Sequence, residues 1–132
     1  MIVVVDTNVW ISALHFGGVE GVPFRALSRA AEIDTIATCD AIDAEIARVL
    51  EEGFGWKPER VSFVLGDVLE RAIRIKVHGT VSLCRDPDHD KFLECAERAG
   101  ADLIITGDKD LLAIRSHGRT KIMTPAEYLM LE

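Results

Sequence analysis

Acidic side chains recur at points of this chain where a fold can gather them. Asp6 ends the apolar run Ile-Val-Val-Val at 2–5, and Asp108 follows Leu-Ile-Ile-Thr with only Gly107 between. Glu45 borders a helical stripe formed by Ile42, Ile46 and Val49. The stretch CRDPDHDKFLE, residues 84–94, brings Asp86, Asp88, His89 and Asp90 against a helix start. Each has a bland reading. Asp6 and Asp108 suit the caps of the helices after them, and Glu45 suits an ion pair with an arginine such as Arg48. Asp86 before Pro87 makes an N-cap and first-turn pair, and Asp88 is first-turn charge facing the helix dipole. The chemical reading rests on convergence. Carboxylates drawn together repel one another unless a cation lies among them. Hard oxygen ligands of this kind suit Mg²⁺ or Mn²⁺ better than zinc. Two such ions roughly 4 Å apart activate a water and stabilise the leaving oxygen in phosphodiester hydrolysis.

Convergence requires elements that point these residues the same way. Residues 2–5 form a β-branched apolar run suited to a strand buried on both faces of a parallel sheet. Helices are expected over Thr7–Leu14 and Val22–Ile33, with Gly17, Gly18 and Gly21 in the loop between. A strand at 35–39 precedes a helix over Asp40–Glu52, and Pro58 opens another helix running to about Ile75. The segment KVHGTVSL, 76–83, reads as one or two short strands. Phe92, Cys95, Ala96 and Ala99 then give a helix that Gly100 ends, followed by a strand at 102–106. A short helix at 109–115, a strand at 121–124 and a capped helix from Thr124-Pro125 close the chain; Glu127 completes a capping box. Alternating strands and helices indicate an α/β fold around a mainly parallel sheet. In such sheets ligands bind beyond the carboxyl ends of the strands, where Asp6 and Asp108 fall. With neither repeat nor linker, residues 1–132 read as one domain.

Composition narrows the function. With 48% hydrophobic and 28% charged residues, the chain has ordinary soluble composition. A net charge of −7 argues against broad electrostatic attraction to nucleic acid or anionic membranes, unless bound cations intervene. No apolar run is long enough for a membrane helix. Cys39, Cys84 and Cys95 have no C-x-x-C spacing and read as reduced thiols, which with the absence of a signal peptide points to the cytoplasm. No G-x-x-x-x-G-K-[ST] phosphate loop, G-x-S-x-G elbow or Cys–His signature is present, and the four histidines show no ligand spacing.

In order along the chain, IVVVDTNVWISAL, EIARVL, DPDHDKFLECA, ADLIITGDKDLL and KIMTPAEYL resemble the motifs of the PIN-domain family. Singly they are weak; as an ordered set spanning nearly the whole chain they are specific. The resemblance implies a three-layer fold with a central, mainly parallel sheet flanked by helices. It implies ribonuclease activity dependent on Mg²⁺ or Mn²⁺, and places Asp6, Glu45 and Asp108 on the family's metal-binding positions. Asn8 and Thr106 match residues that support that site by hydrogen bonding. Many members are toxins of toxin–antitoxin pairs, commonly homodimers restrained by a small antitoxin.

One position departs from the pattern. The family's remaining acid falls at His89, which helical counting back from Phe92 also makes the inward position. Asp90, one residue on, is the nearest acid able to replace it, with Asp86 next. An imidazole ligand at His89 would favour Mn²⁺ over Mg²⁺. Two readings follow: a metal-dependent endoribonuclease of the toxin type, or a catalytically weakened PIN-like module that acts by binding protein or RNA.

Overall fold

The computed structural model describes residues 1–131. Among them the order is β1 (Ile2–Val5), α1 (Thr7–His15), α2 (Val22–Glu32), β2 (Thr35–Thr38), α3 (Asp40–Arg48), α4 (Pro58–Arg71) and β3 (Ile73–Arg74). Then come α5 (Asp90–Ala99), β4 (Leu103–Ile105), α6 (Lys109–Ile114), β5 (Ser116–His117), β6 (Thr120–Met123) and α7 (Pro125–Leu129). The strands form a single sheet in the order β3-β2-β1-β4-β6-β5, parallel except for the β5–β6 hairpin. Helices flank the sheet on both sides of its core, the expected α/β layering.

The two most buried strands are those whose sequences carry no polar residue. Val3, Val4 and Val5 of β1 and Ile104 and Ile105 of β4 are at most 2% exposed. Each such side chain contributes about 1.5–3 kcal/mol when taken fully out of water. Trp10 of α1 and Phe92 and Leu93 of α5 pack into the same core. The indole of Trp10 donates to the Val5 carbonyl at 3.2 Å, fixing the end of β1 against α1. Gly100 ends α5 in the left-handed region (φ 63°), and the Ala101 amide returns to the Ala96 carbonyl. A left-handed cap of this type favours glycine. The capping box at α7 forms as expected, with Thr124 and Glu127 exchanging hydrogen bonds.

Three sequence expectations are corrected. The helix from Pro58 stops at Arg71, because Ala72 turns extended and the chain docks as β3 on the edge of β2, with the Ile75 amide donating to the Thr38 carbonyl at 2.8 Å. The helix from Asp40 stays α-helical only to Arg48 and widens into a π-helical turn over Val49–Gly53. Residues 76–83 form no strand, because α5 supplies side-chain acceptors to their amides. Glu94 accepts from the amides of His78 (2.5 Å) and Thr80 (2.9 Å), and Asp90 accepts from those of Leu83 (3.0 Å) and Cys84 (2.8 Å). The segment is a strap laced to one helix by two carboxylates four residues apart, so its backbone groups are satisfied without a sheet partner.

Candidate metal centre

β1 and β4 are neighbours, paired Val5 to Ile105, yet they are the strands from which the sheet extends in opposite directions. Such a switch point opens a crevice past the strand ends. Asp6 and Thr106 emerge there side by side, and the Asp6 amide donates to the Ile105 carbonyl at 2.9 Å.

Asp6 occupies the N-cap position of α1 but its side chain makes no capping hydrogen bond. Its carboxylate is instead turned to β4, accepting from the Thr106 hydroxyl at 2.6 Å. The residue is only 3% exposed. Burial raises its pKa above the ordinary carboxylate value; the Thr106 hydroxyl, the backbone at Asn8 and the charge of His89 act against that rise, and Asp108 adds to it. Thr106, fully buried, serves both acids: its hydroxyl oxygen also accepts from the Asp108 amide at 2.9 Å.

Asp108 does two jobs with its two oxygens. Oδ1 caps α6, accepting from the amides of Asp110 (2.9 Å) and Leu111 (3.1 Å). Oδ2 faces His89 Nε2 at 3.6 Å. His89, Asp108 and Asp110 each present a ligand-type atom within 4.8 Å of the others. His89 Nδ1 is buried without a hydrogen-bond partner, and Nε2 is the nitrogen turned to the acids. Asp110 is the member that the sequence reading did not single out. Its signal was the spacing Asp-x-Asp after a buried strand, which at the head of a helix puts both acids on the first turn.

Glu45 stands across the crevice on α3, half-buried beside Ile42 and Ile46. Thr7 donates its hydroxyl to Oε1, and the ammonium of Lys91 donates to Oε2 at 2.9 Å. The partner foreseen for it, Arg48, is not the one that pairs.

The remaining expected residues lie apart from the acids. Asp90 is buried, with Oδ1 committed to the Leu83 and Cys84 amides, and those hydrogen bonds outweigh burial to hold its pKa low. Asp86 is exposed and caps the 3₁₀ turn Pro87–His89 by accepting from the Asp88 amide at 3.0 Å. Asn8 is exposed on the first turn of α1, and among the described residues its side chain makes no hydrogen bond to an acid.

The donor set fits a hard divalent ion. Asp108 and Asp110 offer carboxylate oxygens and His89 an imidazole nitrogen, with Asp6 beside them across the Thr106 hydroxyl, a combination suited to Mn²⁺ as well as Mg²⁺.

Comparison with known proteins bears on the family and the fold. Uncharacterized protein MJ1680 of Methanocaldococcus jannaschii is 31% identical over 141 aligned positions, spanning 96% of this chain and 88% of that protein. The crystal structure of VapBC2 from Rickettsia felis bound to a DNA fragment from their promoter contains a chain of similar fold. It superposes with a TM-score of 0.64 at 16% identity, over 94% of this chain and 98% of that one. A family model described as PIN domain matches residues 2–110, from the first strand through Asp110 of α6, and the chain belongs to the PIN-domain family.

Proposed function

We propose that this protein is a Mg²⁺- or Mn²⁺-dependent endoribonuclease acting as the toxin of a toxin–antitoxin pair. The observation that carries the reading is the junction of Asp6 and Asp108 through the Thr106 hydroxyl, at the switch point of the sheet. There the Thr106 hydroxyl donates to the Asp6 carboxylate and accepts from the backbone amide of Asp108, an arrangement that capping alone does not require.

In this reading Asp6, Asp108, Asp110 and His89 hold the ion, with Glu45 across the crevice. A divalent ion so held supplies Lewis acidity toward a phosphate oxygen and makes a neighbouring water more acidic. The protein's own part is to fix the donors. Thr106 sets the orientation of Asp6, the first turn of α6 sets that of Asp108, and the 3₁₀ turn Pro87–His89 delivers the imidazole. In the overall reaction water adds to phosphorus, one P–O ester bond breaks, and a proton passes to the leaving oxygen. Asp90 is a positioning residue, holding the strap whose far end leads into that turn. We further propose a cytoplasmic homodimer restrained by a small antitoxin. The described helices include none long and apolar enough to cross a membrane.

His89 gives specific support to a second reading, a weakened module that binds RNA or protein without cleaving. Cleavage of unstructured RNA by the purified protein separates the two. The enzyme reading expects cleavage with Mn²⁺ or Mg²⁺ that EDTA and Asp6→Asn each abolish. Cleavage that survives both, or none under any condition, overturns it.

A further inference from the structure

The candidate site divides into two halves. His89, Asp108 and Asp110 group tightly and Asp6 adjoins them through Thr106, whereas Glu45 is outside that group. Both oxygens of Glu45 are already engaged, Oε1 by the Thr7 hydroxyl and Oε2 by Lys91.

Lys91 is not a swinging surface lysine. Its side chain is 14% exposed, its ammonium donates to the Asp88 carbonyl at 2.7 Å, and it lies 5.0 Å from the centre of the Phe92 ring. The Asp88 carbonyl is itself fixed, since it belongs to the 3₁₀ turn capped by Asp86. Most of the rotamer freedom a lysine gives up on binding is therefore already lost. Lys91 lines a cleft of about 360 Å³ together with Glu45, Arg48 and Asp88. A lysine ammonium is a compact point charge well suited to phosphate.

We infer that this protein takes a single divalent ion, on the Asp6–Asp108 side, and that Lys91 supplies at Glu45 the positive charge a second ion would provide. The inference rests on the metal-dependent reading above. It assigns Lys91 a built-in role beside Glu45, facing the phosphate on the side away from the ion.

Counting bound Mn²⁺ on the full chain tests this, by calorimetric titration at millimolar metal with thermal melts as a check on folding. The wild type is expected to bind one ion, Lys91→Arg one, and folded Lys91→Met two, a doubling of sites as Glu45 is released. Two ions in the wild type, or one in folded Lys91→Met, overturns the inference while the metal-dependent reading stands. No Mn²⁺ bound by any of the three proteins overturns both. Should Lys91→Met fail to fold, the wild-type and Lys91→Arg counts still decide: one ion each upholds the inference and two overturns it.

Discussion

Replacing Thr106 with valine removes one hydroxyl and changes little else, because the two side chains have nearly the same shape. That hydroxyl donates to Asp6 at 2.6 Å and accepts from the Asp108 amide at 2.9 Å, and Thr106 is fully buried. A hydrogen bond to a charged group is worth about 1.5–3 kcal/mol, and a buried amide left without an acceptor costs about 1–3 kcal/mol. Together the loss is about 2.5–6 kcal/mol, a large part of the ~5–15 kcal/mol by which a domain of this size is stable. The middle of that range, about 4 kcal/mol, is the expected figure at neutral pH. Thr106→Ser keeps the hydroxyl and loses only a methyl group, at about 1 kcal/mol. Urea unfolding of the metal-free proteins gives both numbers. The site should respond in the same order, with metal affinity falling much further in Thr106→Val than in Thr106→Ser. If Thr106→Val unfolds within 0.5 kcal/mol of wild type (about the scatter of a neutral surface substitution), or if serine proves worse than valine, the hydroxyl is not what joins the two strands.

Asp6→Asn should abolish metal-dependent cleavage while leaving the melting temperature of the metal-free protein unchanged or higher, because burial opposes charge at that position; a clear drop in melting temperature contradicts this. Glu94 is held at about 2 by the His78 amide, Arg98 and the Thr80 amide despite its burial. Its folded pKa lies below the unfolded value of 4.5, so its contribution to stability is fully present above that value and fades as pH falls from about 4.5 toward 2. Glu94→Gln should cost about 2 kcal/mol or more at pH 7 and flatten the acid limb of the wild-type stability profile; parallel profiles would show that Glu94 does not create it. Asp90→Asn should speed hydrogen exchange at the Leu83 and Cys84 amides, whereas His89→Ala should weaken Mn²⁺ binding with those amides still protected. The opposite pairing of effects would exchange the roles assigned to these neighbours.

The sheet was legible because its central strands carry uniform patterns. IVVV and LII are apolar throughout, as strands covered on both faces must be, and the acids that follow them mark their carboxyl ends. Thr106 was named only through the resemblance to the family's site-supporting residues, and it lies one residue past β4, bonded to Asp6. The strap at 76–83 was not legible. KVHGTVSL has the β-branched alternation of a strand, and nothing local announces that Asp90 and Glu94 will take its amides. That outcome is decided by tertiary packing, which overrides β-propensity readily. β3 was missed because two residues give no periodicity to read. Glu45 was placed correctly on the border of its stripe, but its ion-pair partner lies 46 residues away and leaves no mark on the local sequence.

The ambiguity at 86–90 has a geometric source. Counting back along a helix at 100° per residue assumes that the α-helix continues. Here it begins at Asp90, and the residues before it form a tighter turn advancing about 120° each. His89 and Asp90 are thus separated by the seam between two helical geometries, and both can be inward while facing different neighbours. His89 faces Asp108, and Asp90 faces the strap. An acid at 89 would bring a further negative charge beside Asp6, Asp108 and Asp110, and without an ion their mutual repulsion would raise every pKa in the group. The imidazole avoids that, for it adds no negative charge beside these acids. The departure from the family pattern therefore reduces the electrostatic strain of the metal-free site while keeping a donor in the ligand position. On the metal-dependent reading proposed above, Mn²⁺ is expected to bind more tightly than Mg²⁺, because imidazole is a better ligand for it.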